Sequence, residues 1–282
     1  ILNDHDSIIY LTPKVGSMYA EVVSTPLPYN INVSHGSTDT LIMDVISPDT
    51  IPLEDFGYNV FSFNIIDTKD LGLIAYYPFD INAKDIISGK DGELINNPAF
   101  NQGVLNKSVS LDGELGQFVK LSSFDFDEMD EFSISMWIKE IDMTDDSGTG
   151  YIFFGDHHGG FLGITHIWGN LAWSVGYEVW EEDKISITTP FDPDLHLNIW
   201  NLYTLTYNST NSTFSAYIND SLIGQEVDMV RIAHDSAGLG AHWAGFDGQG
   251  QYTRFVGNID DLRIYDRELA KEDIKALFER KD

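Results

Sequence analysis

The chain has no cysteine among its 282 residues. That absence removes disulfides, thiolate nucleophiles and cysteine-bearing zinc sites together. It leaves the compartment open, because a large exported bacterial domain can bury enough apolar surface to do without disulfides. Basic residues are scarce: 16 Lys and Arg stand against 45 Asp and Glu, a formal charge of −29. Such a surface repels phosphate backbones and anionic lipid headgroups, which counts against nucleic acid and against a membrane surface. No apolar run approaches the roughly 20 residues that span a bilayer, so no membrane insertion by this chain is expected. A neutral ligand, or a cation such as calcium, suits the charge better.

Also missing are a Ser-His-Asp order, a phosphate-binding loop and a dinucleotide fingerprint. His157 and His158 are adjacent, so on a strand they point to opposite sides, and no His-x-x-x-His or His-Glu pattern supports them as zinc ligands. One stretch, Glu226-Val227-Asp228-Met229-Val230-Arg231, approaches the alternating carboxylates with which a glycosidase works. Arg231 stands where the second acid would be, and a guanidinium does not give up its proton at neutral pH.

What is present is 43% hydrophobic residues, with 17 Phe, 13 Tyr, 6 Trp and 24 Gly. That mixture suits strands joined by tight turns. Residues 1–70 read as a small β domain of immunoglobulin-like kind, with strands expected at Ser7–Leu11, Met18–Ser24, Tyr29–Val33, Thr40–Ile46 and Asn59–Ile66. A hinge is expected at Asp67–Leu71. Beyond it, Phe132, Ile134, Met136 and Ile138 alternate with Ser133, Ser135, Trp137 and Lys139, which predicts a strand with one apolar face. Asn201–Tyr207 and Thr213–Asn219 flank a turn and predict a hairpin. A late strand is expected at Ile259–Tyr265. Leu269–Glu279 spaces Ala270, Ile274, Leu277 and Phe278 as a helix does. Many short strands, one terminal helix and no βαβ rhythm predict an all-β chain: a two-sheet antiparallel jelly-roll sandwich over 71–282, preceded by a small β-sandwich-like domain.

Several phrases in order carry a resemblance. They are Tyr77-Pro78-Phe79-Asp80-Ile81-Asn82-Ala83-Lys84-Asp85, then Ser108–Gly113, Phe132–Trp137, Trp200–Tyr207, Tyr217–Asp220 and Gly257–Leu269. Together they resemble the bacterial laminin-G-like, or concanavalin A-like lectin/glucanase, jelly rolls over residues 72–282. The order of a small β domain before such a jelly roll is similar to that of surface lipoproteins of glycan-using bacteria. Ile81, Asp220 and Ala270 depart from the family's usual Gly, turn Gly and helix-capping Ser.

The resemblance implies a secreted or cell-surface, lectin-like protein that binds an oligo- or polysaccharide without catalysis. The alternatives are a protein-binding or adhesion module and a diverged glycoside hydrolase. Two segments, 151–183 and 240–251, combine aromatic rings with Asp, Asn, Gln and His among glycines, as sugar recognition requires. The expected ligand residues are Asp156, His157 and Trp180 with His242, Trp243 and Asp247, around one depression. Trp168 and Trp173 read equally well as core or as ligand surface. The resemblance also pairs the first and last long strands. That implies a structural calcium ion held by Asp80 and Asp261 with Asp91 nearby, only one of the neighbours Asp260 and Asp261 reaching it.

Overall fold

The structure is a computed structural model. It describes residues 7–15, 21–22, 29–33, 45–46, 61–67, 71–113, 117–142, 149–156, 160–176, 185–227, 237–240 and 255–280. The chain divides into two units, Ile1–Leu71 and Gly72–Asp282.

In the first unit, β1 (Ser7–Val15), β3 (Tyr29–Val33) and β5 (Phe61–Asp67) form an antiparallel sheet in the order β3-β1-β5. A second ladder pairs β2 (Glu21–Val22) with β4 (Val45–Ile46). The strands expected at Ser7 and Tyr29 are present, and β1 runs four residues past its expected end, through Pro13. Val15 pairs with Phe61, so β5 serves as a partner along that extension.

The second unit holds β6 (Leu73–Tyr77), β7 (Glu93–Ile95), β8 (Ala99–Gln102), β9 (Lys107–Asp112) and β10 (Phe118–Leu121). There follow β11 (Glu131–Asp142), β12 (Thr149–Asp156), β13 (Gly160–Ile167), β14 (Asn170–Gly176) and β15 (Ile185–Pro190). A single helical turn, α1 (Pro193–His196), leads to β16 (Asn201–Asn208), β17 (Thr213–Ile218), β18 (Ser221–Val227), β19 (Ala237–Leu239) and β20 (Val256–Tyr265). The helix α2 (Lys271–Glu279) closes the described chain.

These strands make two antiparallel sheets. The first runs β18-β17-β16-β11-β20-β9-β8, and the second β15-β14-β13-β12-β19-β10-β7. β20 is long enough to take two partners end to end: Val256–Ile259 pairs with β9, and Leu262–Tyr265 with β6. The first and last long strands are thus neighbours.

The expected alternation on β11 holds. Phe132, Ile134, Met136 and Ile138 enter the core between the sheets, together with Ile152, Ile164, Trp173, Leu205 and Ile264. Trp137 enters a second cluster instead, with Leu202, Tyr265, Leu269, Ile274 and Leu277, and packs against Phe278 of α2. The helix therefore covers one outer patch of the first sheet. Ala270 at its N-cap has no side-chain acceptor. The other half of a capping box survives, because the Asp273 carboxylate accepts from the Ala270 N–H at 3.1 Å. Asp273 also pairs with Arg267 at 2.7 Å.

Candidate functional site

The register of the second sheet fixes which residues share its outer face. Ile152, Ile164, Trp173, Ile187 and Leu239 point into the core, so their neighbours along each strand face away. Glu93 pairs with Lys120, Lys120 with Gly238, Gly163 with Ser174, and Ser174 with Ser186. Thr165, Ala172 and Thr188 form a parallel row one step along. The described part of this face carries the exposed charges of Glu93 and Lys120 beside the hydroxyls of Thr165, Ser174, Ser186 and Thr188, while Gly163, Gly238 and Ala172 in it are buried. Ser174 and Ser186 share a hydrogen bond at 2.8 Å. These hydroxyls are what the described face can offer a ligand.

Trp173 belongs to the core and is fully buried. Trp168 does not: 61% of it is exposed. It occupies the two-residue turn between β13 and β14, with φ +47° for Trp168 and +70° for Gly169. Left-handed conformations at both central positions define the hairpin turn that favours Asn or Asp followed by Gly. A bulky aromatic in that position costs about 1–2 kcal/mol. The turn is braced by Asn170, whose Nδ2 donates to the Trp168 carbonyl at 2.9 Å. The Phe191 N–H donates to the Gly169 carbonyl, also at 2.9 Å.

Behind this turn lies a buried polar group. His166 Nδ1 sits 3.1 Å from both oxygens of Glu140, and Tyr151 donates to Glu140 Oε2 at 2.7 Å. Phe191 stacks on the His166 ring with centroids 4.1 Å apart. Burial, then the neighbouring Tyr203 and Glu140, push the Tyr151 hydroxyl well above its ordinary range, so it stays a donor. Burial holds His196, against Asp192, below the usual imidazole range. With its acidic group enclosed between two sheets, this cluster serves the fold rather than a ligand.

Of the expected ligand residues, His157, Trp180, His242, Trp243 and Asp247 lie outside the described residues. Asp156 ends β12 and is opposite Gly160. The ladders locate the points where the two segments leave the sheet. β12 and β14 end together, since Phe161 faces both Gly155 and Gly176. β19 runs the other way: Leu239 is opposite Ile152, and the Gly240 N–H bonds the Tyr151 carbonyl. Gly240 therefore lies toward the end of the sheet that carries Trp168.

The three expected calcium ligands each have a protein partner. Asp80 Oδ1 accepts from the Lys107 N–H at 3.1 Å, and Asp91 Oδ1 from the Asp85 N–H at 3.1 Å. Asp261 pairs with Arg263 through Nε and Nη2 at 3.1 and 3.2 Å. Among the described residues no three His, Cys, Asp or Glu gather as a metal site. Asp85, in the same phrase, organises its loop. It accepts from the N–H groups of Tyr76, Ile87 and Ser88 and from the Ser88 hydroxyl. Burial alone would raise its carboxyl, but these bonds hold it below the usual range.

Asp260 is the carboxylate that sequence reasoning passed over. It is fully buried, and its Oδ2 accepts from Val104 and Leu105 N–H at 2.8 and 3.0 Å. Its Oδ1 has no hydrogen-bond partner among the described residues. Asp80 binds Lys107, at the start of β9. Desolvation pushes the Asp260 carboxyl up to about 7. Of the near-glycosidase stretch, Glu226 lies exposed on the edge strand β18, and Asp228 and Arg231 lie outside the described residues.

The profile of the family described as the concanavalin A-like lectin/glucanases superfamily matches residues 112–275. A search of curated protein sequences finds no match. Among solved structures, domain 4 of a GH43 extracellular arabinanase from Geobacillus stearothermophilus, in complex with arabinotriose, superposes with a TM-score of 0.58 at 20% identity. The match covers 73% of this chain and 98% of that one. The botulinum neurotoxin serotype D binding domain gives 0.60 at 19% identity, covering 75% and 52%. The binding domain of Paraclostridial Mosquitocidal Protein 1 gives 0.60 at 18% identity, again covering 75% and 52%. The chain thus spans about half the length of those toxin domains. At these identities the likeness is one of fold.

Proposed function

The chain belongs to the concanavalin A-like lectin/glucanase superfamily, and from that premise we propose that its jelly roll is a non-catalytic glycan-binding module of an exported or cell-surface bacterial protein. The observation that carries this reading is the outer face of the second sheet. Its described part offers the hydroxyls of Thr165, Ser174, Ser186 and Thr188 on a rigid ladder, with the exposed charges of Glu93 and Lys120 on the same face. An extended oligosaccharide can lie along that face and exchange hydroxyl hydrogen bonds with it. Asp156, His157 and Trp180 at one end, and His242, Trp243 and Asp247 following Gly240, are proposed to border it. A protein sharing this fold was solved in complex with arabinotriose, which supports the ligand class.

The formal charge of −29 selects a neutral glycan over an anionic one and works against nucleic acid and anionic lipid. Hydrolysis is not part of the proposal. The buried carboxylates Glu140 and Asp261 are committed to protein donors through both oxygens, and Asp260 through Oδ2. A glycan array probed with the labelled chain tests the reading, and binding to at least one neutral oligosaccharide is the expected result. A protein partner is the second reading, favoured by the likeness to toxin binding domains. It would take the place of the first if the array stayed blank.

The proposal includes a structural calcium ion. We assign it to Asp260 rather than Asp261, because Asp260 Oδ1 is buried and has no hydrogen-bond partner among the described residues. Asp80, which accepts from the Lys107 N–H at the start of β9, is the proposed second carboxylate, with Asp91 and carbonyls of the 80–91 loop completing the shell. Calcium accepts such mixed oxygen ligands. Its charge there would offset the cost of an ionised buried acid.

A further inference from the structure

We propose that the segment 191–199, which crosses from β15 to β16, is an acid-released latch whose catch is the neutral His196 ring. The segment joins the two sheets at one rim. Toward the second sheet, the Phe191 N–H donates to the Gly169 carbonyl in the β13–β14 turn. Toward the first, the Asn198 N–H donates to the Glu140 carbonyl at 2.7 Å, and Asn201 Nδ2 to the Leu195 carbonyl at 3.1 Å. Between these ends the grip is slight. Asp192, Pro193, Asp194, Leu195, Asn198 and Ile199 are exposed, and the buried side chains of the segment are Phe191 and His196. The latch stands whether or not the chain binds glycan.

The two buried rings depend on one another. Phe191 stacks on His166 at 4.1 Å and meets His196 at 5.2 Å between centroids. His196 Nδ1 accepts the Asp192 N–H at 2.9 Å, while the His196 backbone N–H donates to the Asp192 carbonyl, also at 2.9 Å. That closed pair winds α1. An imidazole nitrogen accepts a hydrogen bond only while it carries no proton, so the neutral ring holds its proton on Nε2 and an added one goes to Nδ1. Protonation then sets donor against donor and places a charge on a buried ring.

The charged neighbours do not rescue the imidazolium. Asp192 and Glu140 favour it, and His166 opposes it. Both Glu140 oxygens already face His166 Nδ1 at 3.1 Å, and Tyr151 donates to Oε2. The Asp192 carboxylate is exposed and accepts from the Asp194 N–H. Burial outweighs their pull and holds the ring below the usual imidazole range. A value lower folded than unfolded means that the latch is secure above pH of about 6.5 and weakens as pH falls through the folded value. Release opens the rim over the Glu140–His166–Tyr151 group and frees the Gly169 carbonyl from Phe191.

Hydrogen–deuterium exchange read by mass spectrometry, on the full chain from pH 7.5 to pH 4.5 and corrected for intrinsic rates, tests this. Peptides covering 191–199 should lose protection by about tenfold per pH unit once His196 titrates, since one proton drives the release. Peptides of β11 and β20 should keep theirs. His196→Asn retains an acceptor near the position of Nδ1 and does not titrate, so its segment should stay protected at pH 4.5. His196→Leu has no acceptor, and its segment should exchange at pH 7.5 as that of the wild type does in acid. Unchanged protection of the wild-type segment over the whole range would overturn the latch. So would loss in step with β11 and β20, which marks global unfolding, or an equal acid loss in His196→Asn, which places the trigger elsewhere. Should His196→Asn fail to fold, the His196 ring resonances of the wild type decide: titration in step with the loss of protection supports the latch, and titration out of step overturns it.

Discussion

Asp260 and Asp261 are neighbours on β20 with different partners: Asp260 holds the backbone of Val104 and Leu105, while Asp261 folds back onto Arg263. The cause is a β-bulge. Ser135 pairs with Arg263 and Trp137 with Asp260, so Met136 alone faces both Asp261 and Leu262. Asp261 takes φ +51° at that point. Arg263 lies over the Tyr76 ring at 4.1 Å, which completes the burial of the ion pair.

The first prediction follows from Asp260. Its carboxyl is raised from an ordinary value near 4 to about 7 by burial. A raised folded-state value means that stability is complete below pH 4 and is lost as pH climbs through 7. At about 1.4 kcal/mol per unit, the loss amounts to a few kcal/mol in calcium-free buffer. Asp260→Asn should therefore melt above the wild type at pH 8, with the gap closing toward pH 4. Calcium should raise the wild-type melting temperature at pH 8 and leave that of Asp260→Asn unchanged. A gap that ignores pH would refute the first half, and an equal calcium response in both proteins the second.

Asp85 should behave in the opposite sense. Its carboxyl is held low by several donors, so its contribution is present above the ordinary range and disappears as pH falls below it. Asp85→Ala leaves the N–H groups of Tyr76, Ile87 and Ser88 without their acceptor. The expected cost is about 2–3 kcal/mol at pH 7, read by urea unfolding. It should shrink in acid.

Much of the second unit was legible in the sequence. Strict alternation on β11 assigned Phe132, Ile134, Met136 and Ile138 to the core and Trp137 to the opposite face, and the structure does the same. The helix expected at Leu269–Glu279 is present from Lys271. The sites were harder to read, for local reasons. Trp168 lies in the β13–β14 turn and Trp173 within β14, and composition could not tell a turn position from a strand position facing inward. Alternation was the ground for letting only one of Asp260 and Asp261 reach an ion, and at this point of β20 a bulge interrupts that alternation. In retrospect the Trp-Gly pair between two alternating runs was the available signal for an exposed aromatic turn.

Ala270 supplies a third prediction. It stands at the N-cap of α2, where only the Asp273 half of a capping box is made. Ala270→Ser would add an oxygen for the N3 N–H and should stabilise the protein by about 1 kcal/mol. Thermal unfolding should then shift upward by about 2–4 °C. A downward shift would show that the added hydroxyl cannot reach.

The Glu140–His166 pair gives a fourth. Both side chains are nearly inaccessible to solvent. Glu140→Leu would strand the Tyr151 hydroxyl and the His166 ring, and should destabilise by about 3–5 kcal/mol. The melting curve checks this. A neutral outcome would mean that the interior repacks without the pair.

Glycan binding itself is the central claim, and one titration measures it most directly. Calorimetry of the wild-type chain with the neutral oligosaccharide brightest on the array should give saturable binding, with no reducing sugar released on long incubation, and none in the Glu226→Gln variant. No heat with any neutral oligosaccharide, or sugar release abolished by Glu226→Gln, would contradict the account.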